Sequence, residues 1–270
     1  RAIDQRDTPW LLKNRGGGAP GLWSNHSFYT WIPPAETFGN HPEWFALIDG
    51  ERKPHDAMSL CGTNPGLAAE LARRLMARME KSDPREPLRV GQGDGFAACG
   101  CDDCRALVER EGSEAAPYLL MLNRALEITA KMYPGHRLAT FAYYGTLPAP
   151  KTMRPHPNLV VNVVTTGIKG NSDQLGRIRG NPANAACREA YETWSRLAPG
   201  RVGAWHWSVN FRALTTEWPN LYAMADNFRF WRDAGLAAAH PEGVGEHSGS
   251  AGNWMALRRW LYVKLMWNPD

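Results

Sequence analysis

From about residue 60 onward the chain alternates short apolar runs with segments of helical periodicity, and this alternation limits the fold more than any other feature. The strand-like runs are Leu88–Gln92, Arg137–Tyr143, Leu159–Val164, Val202–Trp207 and Leu236–His240. Helix-like segments separate them. Leu67–Lys81 opens after Thr63-Asn64-Pro65, a cap-and-proline start, and Ala115–Tyr133 stops before Pro134-Gly135. Ala183–Leu197 stops at Pro199-Gly200, Leu221–Ala234 stops before Gly235, and Asn253–Trp267 closes the chain. The strands are apolar on both faces, as parallel strands covered by helices are. A βα repeat of this kind predicts an α/β fold, and 270 residues suit a TIM-like (β/α)8 barrel of roughly 250. Neither a dinucleotide fingerprint nor a phosphate-binding P-loop follows any strand, so an open doubly wound sheet is the second choice. The region before residue 60 is irregular, the first residue is Arg1, and the last are Trp267-Asn268-Pro269-Asp270. The expectation is one catalytic barrel domain, residues 1–270, incomplete at its N-terminus, truncated at its C-terminus and cut from a longer chain.

On a parallel barrel the chemistry gathers just after the strands. Leu88–Gln92 empties into Gly93-Asp94-Gly95, which sets a carboxylate on a glycine-flanked turn. The other strand ends supply Tyr143 and Tyr144, then Thr165 and Thr166, then Trp205, His206, Trp207 and Asn210, then Glu242 and Glu246. Few acids, several aromatic rings and several hydrogen-bonding groups make the composition of a carbohydrate site. The 12 tryptophans fit that reading, because indole stacks on the C–H faces of sugars. A glycosidase needs a carboxyl to protonate the leaving oxygen and a group to stabilise the oxocarbenium-like transition state. Asp94 and Glu242 are the expected catalytic pair. Tyr143, Tyr144, Trp205, His206, Trp207, Asn210 and Glu246 are the expected substrate contacts.

Seven residues after Gly93 begins Gly100-Cys101-Asp102-Asp103-Cys104, directly behind Cys99. With Cys61 this C-x-C-x-x-C cluster can bind a metal or form disulfides, and spacing alone does not choose. No histidine adjoins it to make a thiolate nucleophile, so Cys61, Cys99, Cys101 and Cys104 are read as structural and catalysis as metal-independent, with no cofactor. The 31 basic and 27 acidic residues leave a net charge of +4 spread along the chain, with no basic block for nucleic acid. No apolar run reaches the roughly 18 residues of a membrane span.

Several segments together resemble the domain-of-unknown-function 4838 family. They are Asn25-His26-Ser27-Phe28, HPEWFALIDGERK from His41, LCGTNP from Leu60 and QGDGFAACGCDDC from Gln92. FAYYGTLPAP from Phe141, WHWSVNF from Trp205 and LRRWLYVKLMWNPD from Leu257 complete the set. Some members of that family are assigned to glycoside hydrolase family 163 as endo-β-N-acetylglucosaminidases acting on complex N-glycans. The resemblance implies a TIM-like catalytic domain, a glycan or glycoprotein substrate, and a secreted, periplasmic or cell-surface location. It implies substrate-assisted hydrolysis, in which the sugar's own acetamido oxygen attacks the anomeric carbon. Asp94 would orient the acetamide and Glu242 would be the general acid/base, or the roles would be exchanged. Where relatives tend to read Trp-Asp-Tyr, this chain reads Trp205-His206-Trp207, a departure that motivates the alternative, a non-catalytic carbohydrate-binding barrel or a hydrolase relative that has lost activity.

Overall fold

The computed structural model describes Lys13 and residues 25–95, 97–165, 176–207, 220–242 and 255–270. It is a mixed α/β structure whose main sheet has five parallel strands in the order β3-β4-β5-β6-β7. These are β3 (Leu88–Arg89), β4 (Leu138–Ala142), β5 (Leu159–Thr165), β6 (Val202–Trp207) and β7 (Ala238–Glu242). A separate two-stranded hairpin pairs β1 (Leu47–Ile48) with β2 (Glu51–Arg52). Its turn is Asp49-Gly50, both at positive φ (51° and 79°), the tight geometry that an Asp-Gly pair supplies at little cost. The chain divides into two compact units, one spanning Gly21–Asn162 and the other taking in Val163–Asp270.

In the first unit, short helices α1 (Phe28–Trp31) and α2 (Pro34–Thr37) precede the hairpin. Helix α3 (Pro65–Met79) starts where its sequence dictates. Asn64 accepts the Leu67 N–H at 3.0 Å, and Pro65 takes a first-turn position whose N–H needs no partner. Leu67, Leu71 and Leu75 form one buried stripe and pack against α5 (Ala115–Thr129). Between them in the chain lies α4 (Asp102–Glu111), which begins inside the cysteine cluster. Its signals are Asp102 and Asp103 in the first turn, where the helix dipole favours acids, and Gly112 at φ 64° closing its end. Every residue of β4 is buried, and so is every residue of β5, along which the chain passes from this unit into the other, as expected of strands covered on both faces. The strand expected over Leu88–Gln92 shortens to β3, since beyond Val90 the backbone turns to other partners: the Gly91 carbonyl accepts the N–H groups of Ser27 and Phe28 at 2.8 and 2.9 Å, and the Gly91 N–H donates to Ser27 Oγ at 3.1 Å.

In the second unit β6 and β7 run in parallel, with Gly203 opposite Ala238 and Trp207 opposite Glu242. The buried faces of α6 (Ala185–Leu197) and α7 (Leu221–Asp233) carry Tyr191, Trp194, Phe228 and Trp231. Tyr262 of α8 (Met255–Trp267) meets Phe228 with ring centroids 5.6 Å apart. Among the described residues no helix is long and apolar enough to cross a membrane.

His206 belongs to this core. It is 5% exposed, its Nδ1 lies 3.2 Å from Thr165 Oγ1, and its ring meets Trp231 at 5.6 Å. Burial, with a contribution from the Arg258 charge, pushes its pKa down from 6.5 to about 4. The unfolded chain therefore takes up this proton first as pH falls. Stability from this group is full above pH 6.5, declines as pH drops toward 4, and then levels off. The expected loss is about 3 kcal/mol. Urea unfolding at pH 7 and pH 4.5 checks it: a His206→Gln variant should lose distinctly less stability across that interval than the parent, and equal losses would refute the assignment.

Candidate active site

Asp94 stands on the loop that follows β3, and Tyr143 and Tyr144 follow β4. Since β3 and β4 are parallel neighbours, these residues emerge at the same edge, the carboxyl end of the strands. Two glycines shape the Asp94 turn for different reasons. A Cβ on Gly93 would meet the Ala57 carbonyl carbon at 2.7 Å and the Asp56 oxygen at 2.8 Å, both backbone atoms that have little room to yield. Gly93 also donates to the Ala57 carbonyl at 2.9 Å, so the two segments need this close approach. Gly95 instead adopts φ 74°, which a side chain would strain. The turn thus projects Asp94 outward, and its side chain is 73% exposed.

Two groups meet at one oxygen of that carboxylate. His26 Nε2 lies 3.2 Å from Asp94 Oδ1, and the Tyr143 hydroxyl donates to the same atom at 3.3 Å. His26 Nδ1 lies 2.6 Å from the Gln92 carbonyl oxygen, which can only accept, so that nitrogen carries a hydrogen. The imidazole is thus fixed by the chain's own backbone, with its other nitrogen facing the carboxylate.

Tyr143 is held as firmly. Thr146 Oγ1 accepts the Tyr143 N–H at 2.9 Å and donates to the Tyr143 carbonyl, while Gln92 Nε2 donates to Thr146 Oγ1 at 2.8 Å. Gln92 therefore orients both neighbours of Asp94: its carbonyl fixes His26 and its side-chain amide fixes the Tyr143 turn. Burial, a hydrogen bond with Tyr144 and the Asp94 charge all push the Tyr143 phenol well above its ordinary pKa, which keeps it a proton donor. Tyr144 takes φ 53° and stacks obliquely on Tyr143, ring centroids 4.0 Å apart. A tyrosine held at positive φ is uncommon, and such backbone strain concentrates at functional sites.

His26 was missed as a site residue by sequence reasoning, although the segment Asn25-His26-Ser27-Phe28 was noticed. What places it is tertiary: Ser27 ties to the β3 backbone, donating to the Arg89 carbonyl at 3.0 Å and accepting from Gly91, which anchors the preceding histidine beside the Asp94 loop.

The remaining expected contacts belong to the second unit. Trp205 and Trp207, both half-buried, share the face of β6 opposite to His206, as alternation along a strand requires. Trp205 meets the His240 ring edge-on at 4.7 Å. Thr165 closes β5, fully buried, with its hydroxyl 3.1 Å from that of Tyr191. Glu242 is the last residue of β7 rather than a residue of the following loop. Thr166, Asn210 and Glu246 lie outside the described residues.

The cysteines form a second constellation in the first unit. Cys61, Cys99 and Cys104 are buried and Cys101 is half-buried. Cys61 Sγ lies 3.6 Å from that of Cys101 and 4.0 Å from that of Cys104, and Cys99 Sγ lies 3.5 Å from that of Cys101. All four sulfurs fall within 4.8 Å of one another. A disulfide is about 2.05 Å, so these are thiols in contact. Thiol contacts from Cys104 and Cys99 pull Cys61 down from its ordinary pKa.

No curated protein and no solved structure matches this chain. A family model does match, over residues 4–270, nearly the whole length and with every segment described above. The chain belongs to the family described as Domain of unknown function (DUF4838).

Proposed function

We propose that this protein is a glycoside hydrolase of the hexosaminidase type, cleaving glycans that contain N-acetylglucosamine, on a TIM-like barrel of which the five-stranded sheet is part. The observation that carries the reading is the braced carboxylate at the end of a parallel strand. Asp94 is exposed to a ligand, yet its Oδ1 is fixed by His26 and Tyr143. Among the described residues both partners engage Oδ1, which leaves Oδ2 for a substrate. A carboxylate so held is suited to accept the N–H of an acetamido group and align its carbonyl oxygen for attack on the anomeric carbon. This is the substrate-assisted exception to the two-carboxylate scheme. Half-buried Tyr144 offers aromatic surface beside it. The general acid/base is assigned to Glu242 on its sequence position, and Trp205 and Trp207 are assigned to sugar stacking. His206, buried among Thr165 and Trp231, is assigned to packing.

Incubation with a glycoprotein bearing complex N-glycans tests the reaction. Mass spectrometry should find free glycan in solution and a single N-acetylglucosamine left on the asparagine. Glycan bound without any cleavage would overturn the enzymatic reading in favour of a carbohydrate-binding barrel, which the His206 departure from the family pattern already allows.

A further inference from the structure

The glycosidase reading leaves the cysteine constellation without a role, and its geometry is more specific than packing requires. One ion bound by four thiolates at about 2.3 Å has sulfur–sulfur edges of about 3.8 Å. The measured separations of 3.5, 3.6 and 4.0 Å bracket that value. That all four sulfurs lie within 4.8 Å of one another suits a single tetrahedral ion. The surroundings also suit thiolates. The Leu47 N–H donates to Cys99 Sγ at 3.3 Å, and the Thr63 hydroxyl lies 3.2 Å from Cys104 Sγ and 3.7 Å from Cys61 Sγ. Such outer partners are what orient and tune metal ligands.

We propose that Cys61, Cys99, Cys101 and Cys104 bind one structural zinc ion. All four positions are filled by protein, which marks a closed structural site rather than a catalytic one with an open position. The ligands come from three places: Cys61 just before α3, Cys99 and Cys101 on the loop after Asp94, and Cys104 in the first turn of α4. The Leu47 bond ties the hairpin to the same point, and Gly100 donates to the Leu47 carbonyl at 2.7 Å. The ion would clamp the far end of the loop that begins at Gly93-Asp94-Gly95. This inference is independent of the reaction assigned to Asp94.

The test uses the purified chain, never exposed to chelators. Elemental analysis should give one zinc per chain, and exchange for cobalt should give the intense visible bands of a tetrahedral tetrathiolate centre. Stripping the ion should lower the thermal midpoint by about 10 °C or more, as loss of a structural metal does. A Cys101→Ser variant should lose the zinc, whereas Cys187→Ser, which changes a buried cysteine outside the cluster, should keep it. If Cys101→Ser does not fold, the cobalt spectrum of the unaltered chain decides alone. Metal-free protein with all its thiols titratable would overturn the proposal. So would an intact mass showing disulfides, or iron in place of zinc.

Discussion

Asp94→Asn should lower turnover of an N-glycan substrate by about 10²- to 10⁴-fold, the range for removing a group that handles charge or protons in the transition state. The substitution keeps the shape and swaps one charged oxygen for an amide. An amide cannot carry the negative charge that aligns and polarises an acetamido group, and its nitrogen brings a donor to a place where the substrate also donates. Stability should hardly change, since the side chain is 73% exposed and projects from a turn set by Gly93 and Gly95. Urea midpoints within a few tenths of a molar of the parent, alongside collapsed turnover, are the expected pair of results. Full activity in Asp94→Asn would remove Asp94 from the chemistry.

His26→Ala has the second large effect, through position. His26 spans from the Gln92 carbonyl at 2.6 Å to Asp94 Oδ1 at 3.2 Å, so the backbone before the turn reaches the carboxylate through the imidazole. Without it, among the described residues Tyr143 alone holds Oδ1, at 3.3 Å, and the carboxylate gains freedom to rotate. Misplacement of a reacting group by about 1 Å costs about 100-fold, and that is the expected fall in kcat. KM should move only a few-fold, because His26 acts on Asp94 rather than on the bulk of the sugar. His26→Gln, which can place a donor near the same oxygen, should recover part of the loss. An equal loss in kcat for both variants, with unfolding at lower denaturant, would mark His26 as a packing residue only. The His26 ring does pack against Phe141, with centroids 5.3 Å apart, so the stability measurement is needed beside the kinetics.

How far the sequence went depended on whether local chemistry or distant partners decided the outcome. Val202–Trp207 is a strand with the bounds its apolar run predicts, and Leu159–Thr165 differs by one residue, because apolar runs of this length mark themselves locally. Asn64-Pro65 fixed the start of α3 through a cap that is local by nature. The strand at Leu88 came out short because Ser27 and Phe28, more than sixty positions away, claim the Gly91 backbone. No local pattern reports such a claim. Helix α4 carries local signals of its own, with acids at its start and Gly112 at its end. In the site, Asp94 and the two tyrosines were visible from position after a strand, whereas His26 was not, since it precedes a four-residue helix and reaches Asp94 only through tertiary structure. His206 shows the reverse limit: its place between two tryptophans on a strand suggested the site, and the alternation of the strand turned it into the core. The convergence of Cys61 with cysteines some forty residues later likewise needed the fold, because spacing left metal and disulfide equally open.

The most direct test of the central claim is a crystal structure of Asp94→Asn holding a chitobiose-core glycan, a substrate that this variant should bind but barely cleave. The expected result is an N-acetylglucosamine whose acetamido group lies within hydrogen-bond distance of residue 94, with Tyr144 against the sugar. A glycan bound away from residue 94, with that side chain still enclosed by His26 and Tyr143 alone, would contradict it.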